Sequence, residues 1–220
     1  MRASDVPRPP QLRALSFGEL SEGSRSLLEP NTDIYGLRYA DIRAERLDLG
    51  KGSVVNGSLF SDVVVDELVF ASSRLVETRF QQTAAPVVKS ARAAWRDVEF
   101  DGGRLGAIEA FDLDARAVHF KGCRISYLNL RGSKLLDFCF TDCVIDELDL
   151  LQADAKRVSF PGSRIGSLTV HNSKVADFDL SGAELSSVSG WTWLGGATMS
   201  EEQLMFLAPQ IAAELKIRLA

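Results

Sequence analysis

The sequence predicts an all-β solenoid, a chain wound into polygonal coils with one short side for every five residues. Two observations carry this. Phe60, Phe80, Phe100, Phe120, Phe140 and Phe160 recur every twenty residues, and Leu180 falls where the next would stand. Every fifth residue from Phe60 to Leu185 is also apolar, Ser90 alone excepted. An α-helix repeats every 3.6 residues and a flat strand every 2, so neither yields that beat. A step of five would carry an apolar stripe about 140° around a helix each time, leaving no common face. A polygonal coil turns the same residue of every side inward. A period of this kind fixes architecture before any single motif does.

The bulk numbers agree. At 220 residues the chain is long for one compact domain and short for two; a repeat array removes that tension, because each coil touches only its neighbours. Hydrophobic and charged contents of 45% and 25% are ordinary. A net charge of −5 disfavours unspecific binding to nucleic acid or an anionic membrane. No run approaches the ~20 apolar residues of a membrane span. The start, Met1-Arg2-Ala3-Ser4-Asp5-Val6, lacks the apolar core of a secretory signal. Three cysteines without a disulfide-like spacing suit a reducing compartment, so a cytoplasmic location is expected.

Residues 1–33 carry Pro7, Pro9, Pro10 and Pro30 among scattered apolar residues, including Leu12, Leu15 and Phe17. Prolines oppose a regular element here, so a loose arm or a cap over the first coil is expected. A five-residue beat opens at Leu37, Ile42 and Leu47, but Val55 follows after eight residues. Three residues are then extra, and Gly50 and Gly52 predict a bulge or short loop within 48–54.

From Phe60 to Leu185 the phase holds. Units such as Ala40-Asp41-Ile42-Arg43-Ala44, Ala153-Asp154-Ala155-Lys156-Arg157 and Ala183-Glu184-Leu185-Ser186-Ser187 resemble pentapeptide repeats. That family's unit is a small residue, Asp or Asn, Leu or Phe, then two polar residues. The resemblance covers about residues 34–190 and implies a right-handed quadrilateral β-helix of about seven to eight coils. The Phe column would then be one face. Coils stacked ~4.8 Å apart give a rod of roughly 35–40 Å.

The residue two before each centre should also point inward. Sets that are mostly bulky (Val98, Val118, Phe138 and Phe178, after Ser58 and Thr78; Leu68, Ile108, Leu128 and Leu148) alternate with mostly small ones (Gly103, Cys123, Cys143 and Ser163, after Val63; Ser73, Ala93 and Ser133, with Leu113), predicting a cross-section distorted from square. The coil over 80–99 offers little packing volume at Ala84-Ala85-Pro86 and Ser90, so it is the place to bend, bulge or leave the stack as a loop.

Beyond Val188 the beat fades. Ser200-Glu201-Glu202-Gln203 reads as a capping box. Leu204, Leu207 and Ala208 share a face before Pro209, which predicts a break into a second short helix carrying Ile211, Leu215 and Leu219. These helices, over 191–220, should cover the last coil beside Trp191 and Trp193, because a solenoid end leaves strand edges unpaired. Leu204, Phe206, Leu207, Ile211 and Leu215 are the candidate cap or dimer contacts, with Phe206 and Ile217 off the main stripes. Leu194 to Leu204 also looks like the tail of bacterial pentapeptide-repeat proteins, where the repeats run into a terminal helix.

No constellation for catalysis, metal or cofactor stands out. His119 and His171 are far apart and lack ligand spacing, so both read as surface residues. Gly102-Gly103-Arg104-Leu105-Gly106 lacks the Lys-Ser/Thr of a phosphate loop and reads as turn glycine. Cys123 and Cys143 should stack on adjacent coils, as a disulfide or metal pair or, more simply, as a small apolar ladder. Cys139 should point outward and be the reactive thiol.

The expected function is therefore a non-catalytic protein-binding or scaffold module, with no cofactor and no direct nucleic-acid or membrane binding. The resemblance implies a second reading. Some pentapeptide-repeat proteins are dimeric DNA mimics that occupy the DNA-binding saddle of type II topoisomerases such as DNA gyrase and protect against quinolones. That demands a continuous negative stripe. The outward column of Glu77, Asp97, Asp137 and Asp177 comes closest, but Ala117 and Arg157 interrupt it. Another column, with Arg104, Arg124 and Arg164, is basic. Over residues 60–189 there are 19 acidic and 15 basic side chains, a mixed surface.

Overall fold

The computed structural model describes residues 6–218. Among the described residues, sixteen strands wind into one continuous sheet in which every strand pair is parallel. From Val54 onward each residue pairs with the one twenty positions later, as in Val54 with Arg74, Ala115 with Leu135 and Ile145 with Ile165. One coil is thus four pentads, and the structure is a four-sided parallel β-solenoid.

The twenty-residue column is its axis. Tyr39, Phe60, Phe80, Phe100, Phe120, Phe140 and Phe160 stack face to face, with ring centroids 4.8–5.2 Å apart and planes within 16°. Leu180 closes the column, giving eight levels. The residues two before each centre are buried too, among them Leu68, Ile108, Val118, Cys143 and Phe178. Where that position is serine, the hydroxyl donates to a backbone carbonyl: Ser73 to Phe70 at 2.7 Å, Ser133 to Ala110 at 3.0 Å and Ser163 to Phe140 at 2.9 Å. A buried hydroxyl without such a partner would oppose folding.

The four corners are not equivalent. Two residues after the Phe centres, and likewise on the two sides preceding the Phe side, the backbone turns through the left-handed region, as at Asp142, Asp112 and Asp97. The fourth corner, at Tyr127 and Glu147, stays extended within the ladder. Asp, Asn and Gly tolerate left-handed φ best. The outward aspartates thus have a backbone reason for their positions before any functional one.

Four expectations need correction. First, Leu47 pairs with Leu68 and Asp33 with Val54, so only one residue is extra, not three. It lies in the turn at Lys51–Gly52, with φ of 52° and 95°, inside the expected segment. The beat at Leu37, Ile42 and Leu47 marks the position two before the centre, and the true centres are Ile34, Tyr39, Ala44 and Leu49.

Second, the coil over 80–99 neither bulges nor leaves the stack. Arg74–Lys89 and Ala94–Glu109 pair in unbroken register. Trp95 supplies the missing volume, its ring 5.5 Å from Phe100 and 6.5 Å from Phe120. Gly106 passes directly over the Pro86 carbonyl, where a Cβ would collide with backbone.

Third, the C-terminus forms one helix, α1 (Glu201–Glu214), with Pro209 inside it. Met205 and Pro209 both lie on the exposed side, where water can satisfy the Met205 carbonyl that proline leaves without a donor. Ser200 caps α1, accepting from the Gln203 amide at 3.1 Å, while the Gln203 side chain accepts from the Ser200 amide at 2.8 Å. Leu207 and Ala212 are its buried residues; Leu219 lies outside the described ones. Trp191 packs on the core, whereas Trp193 is turned outward.

Fourth, Cys139 is covered, lying 3.4 Å from the Ser159 hydroxyl on the next coil. All three cysteines are free and buried, and Cys139 is not an accessible thiol.

Replacing Phe120 by Ala should cost ~3–5 kcal/mol by opening a cavity in the middle of the stack. A denaturant melt showing a near-neutral change would place the ring outside the core.

Candidate functional site

The acidic column is a left-handed corner. Glu77, Asp97, Ala117, Asp137, Arg157 and Asp177 have φ between 46° and 59°, so they occupy the same turn on successive coils. The winding therefore brings the four carboxylates into one line. Ala117 and Arg157 fall in the same line.

The column is not bare. Residues 7–17, which form no regular element, run along it from Asp177 toward Glu77, antiparallel to the direction of winding. Arg8 donates to Asp177 twice, from its amide at 3.1 Å and its Nε at 2.9 Å. The Gln11 amide donates to Asp137 at 2.7 Å. Arg13 Nε lies 3.0 Å from Asp97, and Arg13 also pairs with Glu77. Farther on, Arg79 donates to the Leu15 carbonyl at 2.9 Å and sits 5.3 Å from the centre of the Phe17 ring. Arg79 is itself fixed by Glu99 at 2.7 Å, which also holds Lys121 at 2.8 Å.

Asp137 is 1% exposed, so it is a structural carboxylate as much as a surface one. Burial pushes its carboxyl up, but two bonds from Arg157, at 2.5 and 2.7 Å, together with the Gln11 amide, outweigh this and hold it below the usual range. Asp177 is held low by the side chain and then the amide of Arg8. Arg13 is pushed up by its bonds to Asp97 and Glu77. The arm therefore supplies much of the counter-charge that the column needs. Sequence reading placed the column but not its occupant, because an extended arm has no periodicity to detect.

The second surface is α1. Its polar residues, more than its apolar ones, hold it to the last coil. Gln203 donates to the carbonyls of Leu180 and Ala183, at 2.7 and 2.6 Å. Gln210 donates to Ser186 at 2.9 Å and accepts from the Val188 amide at 3.2 Å. Glu214 accepts from the Gly190 and Trp191 amides, at 3.0 and 2.8 Å. Of the candidate contacts, Leu207 is fully buried and Ile211 half-buried, while Leu204, Phe206 and Leu215 are exposed.

Elsewhere the chemistry is sparse. Cys123 and Cys143 point their thiols at the carbonyls of Lys121 and Thr141, at 3.3 and 3.4 Å, as members of an interior ladder. His119 and His171 are half-buried and bond to Thr141 and Ser189, at 2.8 and 2.7 Å. In the basic column Arg104 and Arg124 are adjacent, and Arg164 pairs with Glu184 at 3.0 Å. Among the described residues no group of three His, Cys, Asp or Glu side chains could hold a metal ion, and no helix is long and apolar enough to cross a membrane.

No family model matches the chain, and no curated protein matches it. Among solved structures it is similar to two of QnrB1, described as a plasmid-mediated fluoroquinolone resistance protein. The trypsin-treated form is 11% identical with a TM-score of 0.31, covering 82% of this chain and 95% of that one. The full-length form is 14% identical with a TM-score of 0.27, covering 81% and 99%. A likeness at this level says nothing about what this chain binds.

Two outcomes should follow from the site. Arg157→Ala should lower the melting temperature by several degrees, because it strands the buried Asp137 charge, whereas Arg164→Ala at the exposed Glu184 pair should change it little. Equal effects would mean that Asp137 does not need its partner. Acid should also loosen the arm. Asp177 is depressed by Arg8, with Arg157 and Lys156 nearby, so its contribution is complete above the ordinary carboxylate value and is lost as pH falls through the depressed one. The Arg8 amide resonance should thus shift with a midpoint below about pH 4. A midpoint at or above about pH 4 would contradict the contact.

Proposed function

We propose that this chain is a non-catalytic, protein-binding solenoid that self-associates through α1. The observation that carries the reading is the outer face of α1. Polar anchors dock the helix, yet Leu204, Met205 and Phe206 stand exposed in succession, Met205 at 73% and Phe206 at 67%, with Leu215 and Ile217 exposed farther along. Contiguous apolar surface of this kind marks an interaction site. It sits at the end of a rigid rod, so a two-fold pairing there would build a longer rod with two sets of outward columns. The outer columns are the surfaces on which a partner protein would read this chain.

A second reading, a DNA mimic acting on a type II topoisomerase, draws on the alignment of Glu77, Asp97, Asp137 and Asp177 along one edge. Ala117 and Arg157 break that stripe, and Arg8 and Arg13 neutralise much of what remains. The scaffold reading is the better supported.

Light scattering should give a dimer mass for the native chain and a monomer mass for the double variant Met205→Glu, Phe206→Glu, whose altered side chains touch no core. A monomeric native chain would remove the α1 interface. DNA gyrase supercoiling should be unaffected by micromolar protein, and inhibition would restore the mimic.

A further inference from the structure

The contacts of residues 7–17 have the character of a bound peptide more than of a folded element. None of these residues is fully buried. Their long-range bonds run to carboxylates at the corner or to Arg79, and Arg8 and Arg13 remain largely exposed. Exposed ion pairs are weak and salt-sensitive. A segment with few buried contacts opens at far lower free energy than the core.

The fit is nevertheless specific. Asp177 and Asp137 are two coils apart, about 9.6 Å at the usual strand spacing. Arg8 and Gln11 are three residues apart, about 9.3 Å at a polyproline II rise. Three arm residues therefore match two coils. The two backbone amides that reach these carboxylates, those of Arg8 and Gln11, flank Pro9 and Pro10, which have no amide to offer. The prolines hold the arm extended before it docks, which lowers the ordering cost. A side chain at Gly18 would meet no other atom within 4 Å, and ladder pairing of the chain begins at Ser21–Glu22, which meet Leu37 and Arg38. Beyond that hinge the arm can lift as a unit.

We propose that residues 7–17 are a dissociable strap over the acidic corner, and that the corner is a groove for an extended, proline- and arginine-bearing segment of another polypeptide, which takes the strap's place. The partner's chemistry is the strap's own: two arginines five residues apart, with free amides on either side of a proline pair. Guanidinium groups pair with the outer carboxylates, and a backbone amide reaches Asp137, which Arg157 holds in place. The strap acts as a tethered competitor. A short tether gives it a millimolar effective concentration, so only a segment that binds better or is presented in several copies displaces it. The inference goes beyond self-association through α1, and the corner is tested without reference to oligomeric state.

The test uses the full chain and a fluorescent peptide with the sequence of residues 6–20, followed by anisotropy. The double variant Arg8→Glu, Arg13→Glu releases the strap by repulsion, and its melting curve should stay close to that of the native chain. The peptide should bind this variant, and bind the native chain at least ~10-fold more weakly because the tethered strap competes. Adding Asp97→Asn and Asp177→Asn to the variant should abolish binding, as should ~1 M salt. Equal affinity for the native and strap-released chains would show that the strap does not guard the groove. No binding to the strap-released chain, with its fold intact, would show that the corner is no peptide groove. In the native chain, tryptic cleavage after Arg13 should rise several-fold between ~0.05 and ~0.5 M salt; cleavage insensitive to salt would mean that the strap does not open.

Discussion

The structure depends on a coincidence of two lengths. Parallel strands hydrogen-bond at 4.7–4.9 Å, and the phenyl rings of the central column stack with centroids 4.8–5.2 Å apart. An aromatic residue repeated at the same point of every coil thus packs against itself without straining the ladder. That contact requires an unbroken register along each side, because a slip of one residue there would turn the ring out of the interior; the one extra residue between Tyr39 and Phe60 leaves their stacking intact because it sits in the turn at Lys51–Gly52. Everything outside inherits the same constancy, including the line of carboxylates at the left-handed corner.

A wound sheet has two open ends, and the chain closes them by different means. At the start, Gly23 lies against the ring of Tyr39 so closely that a Cβ would overlap it, and Ser21–Glu22 pairs with the first coil. At the finish, α1 spends Gln203, Gln210 and Glu214 on the unpaired amides and carbonyls of the last coil. Those polar anchors leave its apolar outer face free. Residues 7–17 serve neither end. They lie on the flank, over the carboxylates of the left-handed corner.

The interior was legible in the sequence because burial selects residue type column by column. Phe60 through Phe160 and the bulky and small sets two positions earlier show this. What was misread depends on contacts between columns or on backbone geometry. Leu37, Ile42 and Leu47 keep a five-residue beat in the wrong phase, since both inward positions accept leucine. Trp95, on another side of the same coil, makes up for the small residues at Ala85 and Ser90 through its contacts with Phe100 and Phe120, which depend on packing between columns. Pro209 remains within α1 because the carbonyl it leaves unbonded faces water. Cys139 points outward as expected, but the stacked Ser159 covers it. Of the candidate site, the carboxylate line could be read, whereas its occupant could not. The only trace of the strap in the sequence is the Arg8 and Arg13 pair around Pro9-Pro10, facing carboxylates that recur at multiples of twenty.

The most direct test of the stacking constraint is to lengthen the solenoid. Duplicating residues 101–120 adds one complete coil and one phenylalanine to the column, whereas duplicating residues 106–120 adds three sides and puts every later ring out of line. If aromatic stacking at a fixed coil length organises the fold, the first variant melts cooperatively at or above the native temperature, and the second shows no cooperative transition. Equally cooperative melting of both would contradict the account.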